Sequence, residues 1–429
     1  RILERTEEIL IISYYWPPAG GSGVQRWLYF SKYLSKFNFK PIILSVNPSK
    51  ASYASIDKSL NNSVTEIETY RTSSFEPLKF YSLFKSNGRI PQSVIPKKTL
   101  FDRFLAFIRL NFFIPDARIG WNPFAIKKAL RIIRDQKIKY IITTGPPHST
   151  HLIGLKVKKI TGVKWLADFR DPWQELFYLK SFFRFNYIKN FDLKLEKKVL
   201  SSANGIITTV GDQYHSILKN KISSNQKFFS IYNGYDKIEY DKIESIRPKY
   251  FNIVFTGVLS DNNNYKIFLK AIEAIDPIKN SLKIKFNLAG NVEESIIDMF
   301  SKFVDTRSSG YLPHNQSISL MKSSHLLVNF NYKGTEAPDM ISGKLIEYLA
   351  SGSPIINISH NNSESDSLLS ISEASATFSE NDLDKIISYI YINYNSWLKG
   401  EFNEKIPDNI SDFSRLNLTK RLVHILKEV

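Results

Sequence analysis

A chain of 429 residues with 43% hydrophobic and 23% charged residues has ordinary globular composition and length for two domains of about 200 residues each. It has no cysteine, which excludes disulfides and thiolate metal sites, and no run of about 18 apolar residues, which predicts no membrane-crossing helix. The net charge of +17 is held unevenly: residues 1–236 carry 37 Lys/Arg against 17 Asp/Glu, a net of +20, and the remainder carries 21 against 24, a net of −3. A basic half beside a neutral one points to a polyanion or an anionic membrane, or only to a solvated basic surface. Nucleic acid is disfavoured, because neither zinc-finger spacing nor an RRM-like aromatic signature is present. The opening RILERTEEILIISYYWPP breaks its apolar run with prolines too early for a secretory signal, and the lack of cysteine permits a cytoplasmic location.

In chain order, ILIISYY (9–15) is a short apolar run ending in a Pro/Gly turn, which suits a buried parallel strand. VQRWLYFSKYLSKF (24–37) has apolar residues at helical spacing, and PIILSV (41–46) is the next strand. Residues 75–113 depart from this rhythm, being rich in aromatic and basic side chains. IKYIITTG (138–145), VKWLADF (163–169) and NGIITTV (204–210) are further strands, with HLIGLKVKKITG as the helix linking the first two. A second aromatic and basic patch, LFYLKSFFRFNYIKNF (176–191), holds seven aromatics and three Lys/Arg. Aromatic bodies beside long cations suit a bilayer interface, and equally suit a core with a basic outer edge. After FFSIYNGYD (228–236) and a charged linker the pattern restarts, with strands at NIVFTG (252–257), KIKFNLAG (283–290), HLLVNF (325–330) and SPIINIS (353–359). SRLNLTKRLVHILKEV (414–429) closes the chain as an amphipathic helix. The alternation predicts an α/β chain of two Rossmann-like doubly wound domains facing a cleft, one over 1–236 and one over 250–410, followed by a helix over 411–429.

Four segments carry chemistry. YYWPPAGGSGVQRWLYF (14–30) runs from a strand through Gly20, Gly21 and Gly23 into a helix, a loop that admits close backbone approach and anion binding, with Arg26 as an added cation. Its G-G-x-G spacing, and a second strand that ends SVNP with no acidic residue, disfavour NAD. In IITTGPPHSTHLIG (141–154), His148 follows a strand end and is a better site candidate than His151. In WLADFRDPW (165–173), Asp168, Arg170 and Asp171 are expected to emerge at a strand end, as site residues or as a self-satisfied ion network. In APDMISGKLIEYLASGSPII (337–356), Ser342, Gly343 and Lys344 open a helix able to hold phosphates, and Glu347 lies one turn on, able to accept both hydroxyls of a ribose. Asp382 and Asp384 sit at a helix start, where acidic residues cap, and they read as structural and not as a metal site.

The ordered set WPPAGGSGVQR, TGPPHSTH, ADFRDPW, YNGYD, FTG, GYLPH and GKLIEYLASGSPII resembles the family-4 retaining glycosyltransferases of bacterial surface polysaccharide synthesis, over residues 9–429. The resemblance implies a GT-B fold with an N-terminal acceptor domain, a C-terminal nucleotide-sugar domain and a last helix that crosses back to the first. It implies that Gly21 to Gly23 approach donor phosphates or acceptor, that His148 is catalytic or contacts the sugar, and that Gly257 packs on the diphosphate. Tyr311 and Leu312 are implied at the base and Glu347 at the ribose. Two departures stand out. The family's E-x7-E begins here with Asp339, and its Arg/Lys pair after the Gly257-type loop is reduced to Lys266, with Arg26 or Lys344 as candidate replacements. The implied reaction moves a hexose-like unit with retention from a nucleotide diphosphate sugar to a lipid-linked or cell-surface glycan, without metal or cofactor, with His148, Asp168 and Asp171 at the reacting edge. Its place would be peripheral, at an anionic inner membrane face. A UDP-sugar 2-epimerase of the same fold, or a non-catalytic glycan-binding homologue, are the alternatives.

Overall fold

The computed structural model describes residues 6–53, 56–58, 60, 64–76, 100–175, 182–275, 282–333, 341–360 and 362–429. The chain forms two compact units, one made of the residues up to Tyr232 together with Leu418–Val429, the other of Asn233–Asn417. The first unit therefore ends four residues before the boundary expected at 236. Among the described residues no helix is long and apolar enough to cross a membrane.

In the first unit seven strands form one sheet: β1 (Glu7–Ile12), β2 (Phe39–Val46), β3 (Glu68–Thr72), β4 (Tyr140–Gly145), β5 (Lys164–Phe169), β6 (Gly205–Thr208) and β7 (Phe228–Ser230). The order is β3-β2-β1-β4-β5-β6-β7 and every pairing in it is parallel. The centre of the sheet is made of unbroken apolar runs because helices cover both faces, so alternation would leave polar groups buried. The order reverses between β1 and β4, paired as Ile9↔Tyr140 to Ile12↔Thr143. This is the switch point where the loops after neighbouring strands diverge and leave room for a ligand. The loop after β1 leads into α1 (Ser22–Leu34), and that after β4 into α4 (Ser149–Thr161). Helices α2 (Leu100–Phe112) and α3 (Asn122–Gln136) precede β4. Helices α5 (Asn186–Ser202) and α6 (Asp212–Lys219) flank β6. Ile9, Ile11, Trp16, Trp27, Ile142, Leu166 and Ile207 form the core, joined by Leu418, Leu422, Ile425 and Leu426 of the last helix, α14 (Arg415–Glu428).

Parts of both aromatic patches, residues 77–99 and 176–181, lie outside the described residues. What remains is a built structure. Phe107 of α2 stacks on Phe183 with centroids 6.2 Å apart, and Asn111 both donates to Phe183 O at 3.1 Å and accepts from Phe185 N at 2.9 Å. Arg184, a surface cation by sequence, is buried and pairs with Asp192 at 2.7 Å. Phe104, Phe112, Phe183, Tyr187 and Phe191 stay exposed around this clasp.

The second unit holds β8 (Phe251–Leu259), β9 (Ile284–Val292), β10 (Asp305–Ser308), β11 (Leu326–Phe330), β12 (Ile355–Ile358) and β13 (Ser375–Phe378), again all parallel, in the order β10-β9-β8-β11-β12-β13. Its helices are α7 (Lys237–Lys242), α8 (Lys266–Ile275), α9 (Glu294–Ser301), α10 (His314–Lys322), α11 (Gly343–Ser351), α12 (Glu364–Leu369) and α13 (Leu383–Leu398). Phe251, Ile253, Phe255, Phe268, Phe286, Phe300 and Ile386 are in its core. A polar ladder lies beside that core, with Asn287 donating to Asn252 Oδ1 at 2.6 Å, Asn329 to Asn357 Oδ1 at 2.7 Å and Asn357 to Thr377 Oγ1 at 3.1 Å. Each buried amide thus finds a partner one strand away, as burial demands. The strand expected to stop at Gly257 runs on to Leu259, because Gly257↔Gly290 continues the β8–β9 ladder.

Candidate functional site

In the second unit, α11 descends on β8 at Gly257. A Cβ there would lie 2.2 Å from Lys344 Nζ, and one on Gly290 would lie 2.0 Å from Gly257 O. Both have positive φ, +147° and +111°, so two glycines in register let the lysine approach the strand backbone. Tyr348 fastens the helix there, its Oη accepting from Thr256 N at 2.8 Å. Lys344 Nζ lies 5.9 Å from the Phe255 ring centre. Among the described residues no carboxylate oxygen comes within ion-pair distance of it. Burial pushes its pKa down to about 8, with Glu347 partly opposing. A half-buried lysine at the start of a helix, where backbone N–H groups have no partner within the helix, is suited to a phosphate.

One turn along α11, Glu347 is buried. Its Oε1 lies 2.9 Å from His314 Nε2 and 3.6 Å from an Arg415 terminal nitrogen, and its backbone carbonyl accepts from Tyr240 Oη at 3.0 Å. His314 Nδ1 meets Glu239 Oε2 at 3.2 Å. Burial works against the Glu347 charge, yet His314, Arg415 and Lys344 together hold its pKa below the usual value. Tyr311 is exposed and Leu312 half-buried, just ahead of His314 in the chain. Ser342 is the residue before α11 and forms no side-chain cap bond, and Gly343 begins the helix. Gly257, Gly343, Lys344 and Glu347 thus come together, with Tyr311 and Leu312 leading in. Lys266 stands apart from them at the start of α8, exposed, 3.8 Å from Asp261. Asp339 lies outside the described residues. Asp382 accepts from Ser379 N at 2.8 Å and pairs with Lys385 at 2.7 Å ahead of α13.

In the first unit, three expectations are corrected. Asp168 does not emerge at a strand end: it lies inside β5 with no exposure. It accepts from Arg26 at 2.9 and 3.2 Å, Trp27 Nε1 at 2.7 Å and Thr144 Oγ1 at 2.9 Å. Arg26 spends its other donors on the carbonyls of Ile231 at 2.8 Å and Tyr232 at 2.9 Å. It is therefore a neutralised internal strut and not a cation offered to phosphate, because a carboxylate and two carbonyls already occupy its fork. His148 is likewise turned inward. It stacks on Trp173 at 4.9 Å, and His151 stacks on Phe169 at 4.5 Å. His148 Nε2 donates to Pro172 O at 3.1 Å, while its buried Nδ1 has no hydrogen-bond partner among the described residues. Burial lowers its pKa to about 3, so the ring is neutral at ordinary pH.

The cation beside the glycine loop is Arg170. It donates to Gly145 O at 3.2 Å and Pro146 O at 2.7 Å, and a Cβ on Gly23 would lie 1.4 Å from its Nη1. A side chain at position 23 would therefore displace the Arg170 guanidinium. Gly21, at φ +109°, opens the turn into α1. Burial lowers the Arg170 pKa and raises that of Asp171, which Arg170 partly offsets. Gly21 lies in the loop after β1 and His148 in the loop after β4, at the switch point, while Gly23 is in the first turn of α1 and Arg170 and Asp171 are in the loop after β5. Sequence reasoning assigned no role to His314 or Arg415. GYLPH drew attention to its Tyr and Leu, while His314 gains meaning only when α10 starts beside α11, and Arg415 is far along the chain from the residue it serves.

Residues 270–393 match the family model described as glycosyl transferase-like. Among curated proteins no match is found. Among solved structures, the chain is similar to sucrose-phosphate synthase from Thermosynechococcus elongatus (12% identity, TM-score 0.64, covering 98% of either chain). It is also similar to HepE of Anabaena in complex with UDP and glucose (12% identity, TM-score 0.61, covering 99% of this chain and 100% of that one). A glycosyltransferase from Rickettsia africae gives 13% identity and a TM-score of 0.61 over 99% of this chain and 98% of that one. The fold is that of GT-B glycosyltransferases, two parallel-sheet α/β units.

Proposed function

We propose that the chain is a glycosyltransferase that takes a sugar from a nucleotide diphosphate and adds it, with retention and without a metal, to a lipid-linked or cell-surface glycan. The observation that carries this reading is the Gly257–Lys344–Glu347 constellation, whose helix lies within the stretch matching the glycosyl transferase-like model. HepE, similar in fold, is a structure holding UDP and glucose, which supports a nucleotide-sugar donor.

Glu347 receives the ribose through the carboxylate oxygen that His314 does not use. Lys344 and the first-turn N–H groups of α11 take the diphosphate and stabilise its charge as it leaves. Asp168 is unsuited to act as a nucleophile, since four hydrogen bonds from three side chains close off its carboxylate. Same-face attack, with the leaving phosphate accepting the acceptor's proton, fits better than double displacement. A neutral His148 supports the loop that carries Arg170 and Asp171 in the first unit, where we place the acceptor. The basic charge of that half and its exposed aromatics favour work at the inner face of an anionic membrane.

Calorimetry with UDP and GDP tests the constellation. Glu347→Ala is expected to weaken binding by about 1.5–3 kcal/mol through loss of charge-assisted hydrogen bonds, and unchanged affinity in a folded variant refutes the assignment. Incubation with nucleotide sugars in excess EDTA tests the chemistry. Slow release of nucleotide and free sugar of unchanged anomeric configuration supports the transferase, a 2-epimer supports an epimerase, and no turnover supports a glycan-binding protein. Activity that EDTA abolishes and magnesium or manganese restores overturns metal independence.

A further inference from the structure

Glu347 has one carboxylate oxygen engaged within its own unit, and the group engaging it most closely is His314. This imidazole begins α10 and lies between two acids, with Nε2 2.9 Å from Glu347 Oε1 and Nδ1 3.2 Å from Glu239 Oε2. Ionised carboxylates only accept, so satisfying both contacts requires both ring nitrogens to donate, which is the imidazolium form. Burial disfavours that charge, but Glu347 and Glu239 outweigh burial and the opposing Arg415, raising the pKa to about 9. The surroundings are otherwise fixed: Arg415 lies 3.6 Å from the same oxygen, Tyr240 holds the Glu347 carbonyl, and Lys344 points to Gly257. A glutamate side chain has several soft torsions, and pinning one oxygen with a charge-assisted bond leaves the other a single direction.

We propose that His314 is a positioning residue for nucleotide recognition: by bridging Glu239 and Glu347 it aims the second oxygen of Glu347 at the ribose hydroxyls, and so makes the site prefer ribonucleoside over 2′-deoxyribonucleoside diphosphates. The inference rests on Glu347 being the ribose-binding carboxylate. The signature is a ratio of affinities and not an affinity. Loss of stability lowers both terms alike, as does loss of the Lys344 charge, whereas a misaimed carboxylate lowers only the ribose term.

The experiment is calorimetric titration of the full chain with UDP and 2′-deoxy-UDP, and with GDP and 2′-deoxy-GDP. The unaltered protein is expected to favour the ribonucleotide by roughly tenfold or more, the worth of one hydrogen bond to a charged group. His314→Phe, which keeps a planar ring and removes both donors, is expected to bring the ratio to within about threefold of unity. His314→Gln, which keeps a donor for Glu347, should recover part of it. Adding His314→Phe to Glu347→Ala should change the ratio no further, since the two act through one contact. A full preference surviving Glu347→Ala removes the ribose reading itself. Loss of preference in Glu347→Ala, with the original ratio in folded His314→Phe, overturns the role of His314 alone. Should His314→Phe fail to fold, His314→Gln and Glu239→Gln carry the test: each is expected to lower the ratio at least about twofold, and an unchanged ratio in both overturns the proposal.

Discussion

Arg26 and Asp168 neutralise each other where neither side chain meets water, 2.9 Å apart with 0% side-chain exposure on both. A pair of this kind costs desolvation and is retained only because every donor and acceptor is matched. Arg26→Met would leave Asp168 with Trp27 and Thr144 as its remaining partners and expose an uncompensated charge to the core. We expect a loss of about 3–5 kcal/mol of stability in urea unfolding, with nucleotide affinity of the folded fraction unchanged. Stability preserved to within about 1 kcal/mol, together with lost turnover, would return Arg26 to a ligand-binding role. The residue type and its spacing after the glycines were legible in the sequence. That its partner lies 142 positions away was not, because an ion pair made by tertiary packing leaves no local period. His148 was visible for the same local reasons, and its inward stack on Trp173 was hidden for the same non-local one.

Helix α11 shows what an element can be made to do at some cost to stability. Its start places the half-buried Lys344 beside Gly257, and desolvation brings the pKa to about 8. The sign follows directly. The folded pKa lies below the unfolded one, so between about 8 and the ordinary lysine range near 10.4 the unfolded chain holds more protons and stability rises with pH. Below about 8 the desolvated charge is fully present and destabilising. Lys344→Met is therefore expected to raise stability at pH 7 by about 1–3 kcal/mol, flatten its rise above pH 8, and weaken nucleoside diphosphate binding. Thermal melts across pH, with and without UDP, check all three. A variant that melts lower at pH 7 contradicts the desolvated-charge account. The SGK opening and Glu347 were legible because a helix N-terminus has a local code of residue types. The two glycines in register were not, since Gly257 and Gly290 lie on different strands and only the β8–β9 ladder brings them together. The apolar runs that gave the strands were readable because a sheet covered on both faces must be continuously apolar. The end of β8 was not, because pairing and not composition decides where a strand stops.

At the scale of the molecule, the net of +20 over residues 1–236 has a surface to act through. On α5, Tyr187, Phe191, Lys194 and Lys198 recur at helical spacing and are all exposed, so two aromatics and two cations share one stripe. Phe104, Phe112 and Phe183 lie exposed on the α2 clasp that Phe107 and Asn111 fasten to the segment leading into α5. Exposed aromatics beside lysines suit a peripheral bilayer contact, with rings at the headgroup level and ammonium groups on anionic lipid. We expect the protein to co-sediment with vesicles containing anionic lipid, each lysine near the surface contributing on the order of 1 kcal/mol. Salt should weaken binding without abolishing it, because screening acts on the charges and not on the aromatic rings. Lys189→Glu, Lys194→Glu and Lys198→Glu together should remove most binding to anionic vesicles and leave UDP affinity intact, since these lysines and the Lys344–Glu347 helix belong to different units. Arg184 has to be left out of such a set: it is held by Asp192 at 2.7 Å, and reversing its charge would put two acids side by side in the clasp. Arg184→Glu is expected to lower the melting temperature and so serves as the control for damage to the fold. Equal binding to neutral and anionic vesicles, or binding to neither, would mean that the basic half meets another polyanion, of which a phosphorylated glycan acceptor is the nearest candidate.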